Sequence, residues 1–481
     1  MDPIRFRVRD IEFFERPVQL RLPFRFGVVT LRECPQAFVR VRIEDAAGRP
    51  SWGQAAEVMA PKWFDKNLAL SNEDNFDQLR QVLADARAHY LGDATPATAF
   101  GHFARHYAAH LEHCRGRGFN PLLAAYGPAL LDKALADAAC RAAGQSFYAA
   151  VHGNLLGIAP QGTGLAPDLD GFDWSAFLGA LRPAAFIAAR HTVGMVDPIT
   201  RADVVESVDD GLPQTLQEVI ARHGIRHFKI KVGGDLSHDL PRLRSLAGVL
   251  PGPAAGCFVS LDGNEQFDDA AHFAAWWREV RADPALAGLV QAVGFIEQPI
   301  RRDRALEADI DAAQLGLPVI VDESDGELDT FVQARRRGYR GVSSKSCKGL
   351  YKSILNAARC QVWNRAGQAD GAGRFFMTGE DLTTQAGLGV QQDLALVNLL
   401  GLGHVERNGH HYVNGMAALA RSEQLRFLQA HPDLYEDTHG AVRLRIEAGR
   451  IQLGSLACIG LASACAPDFD TMQPMAAPAH A

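Results

Sequence analysis

Acidic side chains recur along the second half of the sequence, each at the end of a short apolar run. Asp262 follows VSL, Glu297 follows GFI and Asp322 follows VIV. Three carboxylates brought to one point would suit Mg²⁺, a hard cation that prefers oxygen ligands in octahedral geometry, with Mn²⁺ as a substitute. The scarcity of histidine around them disfavours zinc. In the alternative interpretation each carboxylate caps a loop or pairs with a lysine.

Lysines accompany these acids and could move protons. Lys229 and Lys231 are two residues apart in FKIKV, so a strand would present both on one face, and Lys345 ends the run GVSSK. A lysine beside a divalent cation and another lysine should have a lowered pKa, and a neutral amine can act as a base near pH 7. Lys348 is a rival for Lys345, but it lies past the strand and is predicted to face solvent.

Eight β-rich runs between residues 185 and 408 would position these side chains, and helical runs separate them. This alternation predicts a parallel sheet buried on both faces. Eight units predict a closed (β/α)8 barrel with its active site at the carboxyl ends of the strands, and an open doubly wound sheet is the alternative. From the second strand to the eighth, the strand ends carry Lys229 and Lys231, Asp262, Glu297, Asp322 and Glu323, Lys345, Glu380 and Asp381, and Glu406.

Other segments flank the predicted barrel. The first 60 residues alternate apolar and polar side chains, which predicts an antiparallel sheet, and helical spacing follows over residues 68–114 and 128–144. The chain is then rich in Gly and Pro, which predicts a linker or surface insertion over residues 158–184. Near the C-terminus, VRLRIEAGRIQLGS indicates two strand pieces that could pair with the N-terminal sheet. Residues 466–481 are predicted to form a disordered tail.

The composition is that of a folded globular protein, with 481 residues, 47% hydrophobic, 22% charged and a net charge of −7. Nucleic acid is excluded as a partner because its binding needs clustered positive charge. Membrane insertion is also excluded, because no stretch of about 18 apolar residues occurs. The first residues lack the apolar core of a signal peptide, and the eight cysteines contain no CxxC pair. The expected location is therefore the cytoplasm.

FKIKVGG, VSLDGNE, FIEQP, VIVDES and SSKSCKG occur in this order, and the set resembles the barrel motifs of the enolase superfamily. Within it, the sequence is similar to the muconate lactonising enzyme subgroup of the mandelate racemase/muconate lactonising enzyme family. LPFRFG and GQAAEV resemble its capping domain, and GRIQLGSLACIGLA resembles its C-terminal return. The mandelate racemase subgroup is disfavoured, because it would place an Asp on strand six and a His on strand seven.

The resemblance implies a modified TIM barrel over residues 185–415 and an α+β capping domain over residues 1–157, completed by residues 416–465. Residues 22–30 of the cap would close over the barrel mouth. The implied Mg²⁺ ligands are Asp262, Glu297 and Asp322. The implied catalytic residues are Lys231 on one face of the substrate, Lys345 on the other face, and Lys229 as an electrostatic aid. Residues that could support the ligands or contact substrate are Asn264, Glu323, Glu380, Asp381 and Glu406.

The function implied is Mg²⁺-dependent removal of a proton α to a carboxylate, giving a metal-stabilised enediolate. Racemisation or epimerisation, cycloisomerisation or dehydration of a small carboxylic acid would follow. A homo-oligomer is possible for a barrel of this kind. Two alternatives remain open: an aldolase-like lyase with a Schiff-base lysine, and a non-catalytic ligand-binding protein that retains the fold.

Overall fold

The computed structural model describes residues 2–26, 29–307, 309–367 and 374–478. Residues 27 and 28, in the segment predicted to close over the barrel, and residues 479–481 of the predicted tail lie outside these ranges. Within the described ranges, no helix has both the length and the apolar character needed to span a bilayer.

The N-terminal region is an antiparallel sheet, as predicted. Its strands are β1 (Phe6–Phe26), β2 (Val29–Asp45) and β3 (Pro50–Val58), and β2 lies in the centre. Val39, Val41 and Ile43 alternate along β2 and are buried against the helices described next. The alternating pattern of the sequence is therefore the inward face of a half-buried sheet.

Four helices follow this sheet: α1 (Asn72–Gly92), α2 (Ala99–Gly116), α3 (Pro121–Ala142) and α4 (Phe147–His152). Of these, α1 packs on β1, and α3 packs on β2 and β3. Each of the four helices begins after a Ser, Thr or Asn whose side chain accepts a backbone N–H of the first turn. Helix α3 begins at Pro121 instead of the predicted residue 128, because Asn120 caps it and proline suits the first helical position. The structure thus extends the predicted helix by two turns.

Helix α3 packs closely on β3 at Gly53, where a Cβ atom would lie 2.1 Å from the carbonyl oxygen of Ala134. We expect Gly53→Ala to lower the free energy of unfolding by about 3 kcal/mol, because overpacked cores must shift backbone. Denaturant unfolding measures the change. Gly116→Ala is the matched control, since nothing lies within 4 Å of a Cβ atom there. Equal stability of the two variants would contradict the close packing.

The central part of the chain forms the predicted (β/α)8 barrel. Eight parallel strands pair in chain order and the last pairs with the first, so the sheet closes and the open-sheet alternative is wrong. The strands are β4 (Phe186–Val193), β5 (His227–Lys231), β6 (Phe258–Asp262), β7 (Val293–Glu297), β8 (Val319–Val321), β9 (Gly341–Ser344), β10 (Phe376–Gly379) and β11 (His404–Arg407).

Helices precede, connect and follow the barrel strands. They are α5 (Trp174–Ala180), α6 (Leu216–His223), α7 (Leu236–Ala247), α8 (Ala270–Ala282), α9 (Ala287–Ala292), α10 (Ala312–Leu315), α11 (Thr330–Arg336), α12 (Leu350–Ala366), α13 (Leu388–Leu399), α14 (Gly409–Tyr412) and α15 (Arg421–Ala430). In the segment predicted as a linker, Asp168 forms an ion pair of 2.8 Å with Arg359 of α12. This contact ties the segment to the barrel wall.

The C-terminal strands are β12 (Tyr435–Thr438), β13 (Ala441–Leu444), β14 (Arg450–Gln452) and β15 (Gln473–Pro474). The predicted pairing of residues 441–455 with the N-terminal sheet is wrong: β13 pairs with β12, and β14 pairs antiparallel with β4. The reason is that β4 starts before its barrel neighbours, so its first backbone groups need partners, which β14 supplies. Strand β15 pairs with β1 of the cap.

The chain returns to the cap after β14. The backbone N–H of Leu461 donates to Asp137 of α3 at 2.6 Å, and Arg141 of the same helix donates to the carbonyl of Ser463 at 2.8 Å. The segment that follows the barrel is therefore held to the cap by hydrogen bonds to α3, the helix that also covers β3.

Candidate active site

The carboxyl ends of the barrel strands bring the predicted site residues together. Asp262 and Glu297 are register partners on β6 and β7, and Lys231 is the partner of Asp262 on β5. Asp322 and Lys345 follow the last residues of β8 and β9 directly. All five side chains are buried. Strand pairing therefore explains why residues up to 114 positions apart in sequence share one mouth.

Lys229 lies at the centre of an acidic ring. Its Nζ is 3.0 Å from Asp262, 2.8 Å from Glu297, 2.9 Å from Glu380 and 3.0 Å from Glu406. Burial alone would lower the pKa of Lys229, but the four carboxylates outweigh burial and raise it well above its usual range. Lys229 is therefore a fixed positive charge and not a proton acceptor.

The other two predicted lysines each hold one carboxylate. Lys231 Nζ is 2.5 Å from Asp262 Oδ2, and Lys345 Nζ is 2.7 Å from Asp322 Oδ2. Strands β5 and β9 are four positions apart in a closed sheet of eight, so these two lysines come from opposite sides of the barrel. Both line the same small cavity.

The predicted lowering of lysine pKa values assumes a bound divalent cation and stays a prediction, and among carboxylates alone the pKa of Lys345 shifts in the opposite direction. Burial lowers the pKa of Lys345, but the Asp322 carboxylate outweighs burial and raises it. The same contact, with Lys348, lowers the pKa of Asp322 well below its usual range despite the opposing effect of burial. The prediction placed a divalent cation beside the amines, whereas here carboxylates are their nearest partners.

The prediction that Lys348 faces solvent is also wrong. Lys348 is buried, 3.3 Å from Asp322 Oδ1 and 3.1 Å from Asp325 Oδ2, and it donates to Ser343 Oγ at 2.7 Å. It lies in a turn of 3₁₀ helix directly after Lys345, and this turn bends it back beneath Asp322. Lys348 therefore holds the Asp322 carboxylate from below, while Lys345 faces the cavity.

Glu297 carries the clearest sign of a cation site. Its Oε1 accepts from Lys229, but its buried Oε2 has no hydrogen-bond partner among the described residues. Burial and the neighbouring carboxylates of Asp262 and Glu380 raise the pKa of Glu297 well above its usual range. A buried carboxyl oxygen among like charges needs a positive partner.

The ligand chemistry fits a hard divalent cation. Asp262, Glu297 and Asp322 offer carboxylate oxygens, the ligands that Mg²⁺ prefers. Across residues 2–26, 29–307, 309–367 and 374–478, no three His, Cys, Asp or Glu side chains already surround a common metal position. The reason is that Asp262 and Asp322 are turned onto lysines. Binding a cation would require these two carboxylates to leave their lysine partners.

Asn264 and Glu323 lie beside the predicted ligands. The backbone N–H of Asn264 donates to Asp262 Oδ1 at 2.7 Å, and its side-chain amide donates to Glu323 Oε1 at 2.6 Å. Burial, with the Asp322 charge, raises the pKa of Glu323 to about 7. Asn264 thus connects two of the predicted acids by hydrogen bonds.

The backbone after β6 and β7 is strained. Asn264, Glu265 and Gln298 all have positive φ angles, between 32° and 67°, which non-glycine residues rarely adopt. The side chain of Gln298 accepts the backbone N–H of Asp322 at 2.8 Å. Such strain persists where the surroundings over-determine it, typically at functional sites. Here it aims Gln298 at the backbone of a predicted ligand.

The remaining predicted acids have separate places. Glu380 pairs with Arg190 of β4 below the mouth, as well as with Lys229. Glu406 lines the cavity and accepts Thr192 Oγ1 at 2.5 Å. Asp381 also lines the cavity, and its Oδ2 accepts the backbone N–H of Asn408 at 2.9 Å. The pairing of Arg190 with Glu380 was not predicted from the sequence, although Arg190 is the single arginine in the apolar run AFIAARHTV.

The cap closes the mouth with aromatic and aliphatic side chains. The Trp63 ring lies 4.2 Å from Lys345 Nζ, and its carbonyl accepts Arg302 of the barrel at 2.9 Å. The cavity between the cap and the barrel measures about 30 Å³. Its barrel wall consists of Lys229, Lys231, Lys345, Asp381, Leu382, Thr383, Glu406 and Asn408. Its cap wall consists of Phe24, Phe26, Leu31, Ala60 and Trp63.

Comparison with known proteins adds three findings. Residues 212–457 match the family model described as enolase C-terminal domain-like. No curated protein sequence matches the chain. Several solved structures resemble the fold at low sequence identity, and three of them follow.

A dipeptide epimerase from Enterococcus faecalis V583, complexed with Mg and the dipeptide L-Leu-L-Tyr, is 13% identical over 95% of this chain and 99% of its own, with a TM-score of 0.59. A mandelate racemase/muconate lactonizing enzyme from Bordetella bronchiseptica RB50 is 18% identical over 97% and 98%, with a TM-score of 0.56. An enolase from Bradyrhizobium, complexed with magnesium and mandelic acid, is 16% identical over 94% of each chain, with a TM-score of 0.55.

Proposed function

Because the chain belongs to the family of enolase C-terminal domain-like proteins, we propose that it is an isomerase or lyase acting on a small carboxylic acid. The reaction begins with removal of the proton α to the carboxylate and uses one divalent cation, Mg²⁺ or Mn²⁺. Racemisation or epimerisation, cycloisomerisation and dehydration can all start from this step. The observation that carries the proposal is that two lysines from opposite sides of the barrel line one cavity beside three carboxylates.

Asp262, Glu297 and Asp322 would hold the cation. They supply oxygen ligands only, and Glu297 Oε2 is buried without a partner among the described residues. When bound, a divalent cation stabilises the negative charge that develops on the substrate's carboxylate oxygens. The magnesium named with two of the similar structures supports this choice of metal.

Lys231 and Lys345 would move the proton. A neutral amine on one face of the substrate takes the α proton while the C–H electron pair stays on the substrate, and an ammonium on the other face can return a proton. Lys231 ends β5 and Lys345 directly follows β9, on the opposite side of the barrel. A substrate between them would therefore have one amine on each face. Lys229, fixed in its ring of carboxylates, offsets part of their negative charge at the base of the cavity.

The cap would exclude water from the reacting centre. Phe24, Phe26 and Trp63 cover a cavity of about 30 Å³, which holds one or two water molecules. A substrate must therefore displace the cap on entering. Closure afterwards strengthens the electrostatic interactions in the cavity and protects the carbanionic centre from bulk water.

Hydrogen–deuterium exchange tests the proposal. The protein is incubated in D₂O with Mg²⁺ and a panel of carboxylic acids, and NMR follows loss of the α-proton signal. We expect exchange of at least one acid, and loss of that exchange in EDTA. Exchange that survives EDTA, together with trapping of a lysine adduct by borohydride, would favour the Schiff-base alternative. Binding without any exchange would favour the non-catalytic alternative.

A further inference from the structure

The cavity lining restricts what the substrate can carry besides its carboxylate. Five of the described cap residues line the cavity, and all of them are apolar or aromatic, namely Phe24, Phe26, Leu31, Ala60 and Trp63. Each is at most 5% exposed. The part of the substrate that faces the cap therefore meets hydrocarbon and ring surface.

The two carboxylates of the barrel wall already have partners. Asp381 accepts the backbone N–H and the hydroxyl of Thr384 and the backbone N–H of Asn408. Glu406 accepts Thr192, Asn408, Lys229 and the backbone N–H of Asp381. A substrate hydroxyl could reach these carboxylates only by breaking existing hydrogen bonds. The displaced donors would then be buried without hydrogen-bond partners, which costs binding free energy.

Asn408 and Thr383 also line this wall, and among the described residues no hydrogen bond occupies the Asn408 Oδ1 or the Thr383 hydroxyl. The Asn408 Oδ1 is buried. The orientation of the Asn408 amide is fixed, because its Nδ2 donates to Glu406 Oε1 at 3.2 Å. In the flipped orientation the amide oxygen would lie against the Glu406 carboxylate, and neither group could donate a hydrogen bond. One substrate N–H or O–H group could therefore be accommodated at Asn408.

We infer that the substrate class is small monocarboxylic acids whose α substituent is apolar or aromatic. Polyhydroxylated acids such as sugar acids are rejected, because their hydroxyls would be buried against Phe24, Phe26 and Trp63 without partners. This inference rests on the proposed function, since it assigns the cavity between the lysines to the substrate.

A matched pair of acids tests the inference on the wild-type protein with Mg²⁺. Calorimetry measures binding of 2-phenylpropanoate and of D-gluconate, and NMR in D₂O measures exchange of the α proton of each. We expect at least a tenfold preference for 2-phenylpropanoate in affinity, because its ring is buried against the cap. Equal or tighter binding of gluconate, or binding of neither acid, would overturn the inference.

The two readouts separate the inference from the proposed function. Preferred binding of 2-phenylpropanoate without exchange of any acid in the panel would support the apolar cavity and contradict the proposed reaction. Exchange of gluconate in preference to 2-phenylpropanoate would overturn the inference and leave the reaction standing.

A substitution in the cap tests whether the cap contacts the apolar α substituent of the substrate. We expect Phe26→Asn to weaken 2-phenylpropanoate binding about tenfold or more. The difference in affinity between 2-phenylpropanoate and gluconate should therefore become smaller than in the wild type. Phe186→Asn is the matched control, because Phe186 is 43% exposed at the opposite end of the barrel and should leave both affinities unchanged. Equal effects of the two substitutions would overturn the assignment. If Phe26→Asn does not fold, the comparison of the two acids on the wild type still decides the inference.

Discussion

Replacing Lys345 by methionine is expected to lower the rate of racemisation or α-proton exchange by about 10³-fold for the substrate enantiomer whose proton faces it. Methionine keeps the length of the side chain against the Trp63 ring but cannot accept a proton. The measurement is NMR in D₂O on each enantiomer of an acid that the wild type exchanges. The opposite enantiomer should retain much of its exchange, because Lys231 lies on the other side of the cavity.

Lys231→Met should show the reverse preference. Arg336→Met on the outer helix α11 is the control, because it removes an exposed cation far from the mouth and should stay within about twofold of the wild type. Full exchange of both enantiomers by both lysine variants would show that neither amine is the base. Loss of the same enantiomer in both variants would contradict their placement on opposite faces.

Glu297→Gln is expected to weaken Mg²⁺ or Mn²⁺ binding by about 100-fold or more. Even residues that only support a metal ligand change affinity 10- to 100-fold, and Glu297 offers the one predicted ligand oxygen that is already without a partner among the described residues. Calorimetric titration of the metal-free protein measures the affinity, and no substrate is needed. Thermal unfolding in EDTA checks that the variant folds.

The control for this substitution is Glu112→Gln. Glu112 has the same side chain, lies on α2 of the cap and is 72% exposed, so its loss should leave metal affinity unchanged. Wild-type affinity in the Glu297 variant would exclude this carboxylate as a ligand and, with it, the proposed site.

The barrel and its charged mouth could be predicted because both depend on local sequence. Each strand is a short apolar run, and the charged residue at its carboxyl end is one position further on, as with Asp262 after VSL and Glu297 after GFI. Closed pairing of eight such strands brings these ends together. Strand register alone therefore fixes the neighbours of Lys231, Asp262 and Glu297.

The partners of these charges could not be predicted, because they depend on contacts between distant segments. Lys348 follows a strand end in the sequence, yet the turn after β9 buries it against Asp322 and Asp325. The same applies to β14, whose partner is the uncovered start of β4. Local hydrophobic pattern says where a strand lies but not which edge it will complete.

The cavity wall is another property of the tertiary structure. Phe24 lies in the segment 22–30 that the resemblance predicts to close over the barrel mouth. Leu31, however, has the pattern of an ordinary core position of an amphipathic strand, as Val39 has. The contact of Leu31 with the barrel mouth follows from the docking of the cap, which Arg302 secures through the carbonyls of Trp63 and Phe64. Substrate class therefore had to be inferred from the structure.

A crystal structure of the protein grown with Mn²⁺ tests whether Asp262, Glu297 and Asp322 together bind a divalent cation. Anomalous scattering locates the ion without assumption about its ligands. We expect one peak at the barrel mouth with oxygens of Asp262, Glu297 and Asp322 about 2.2 Å away, as hard divalent ions require. We also expect Asp262 and Asp322 to have turned from their lysines towards the ion. A peak elsewhere, or no peak at saturating Mn²⁺, would contradict the proposed cation site.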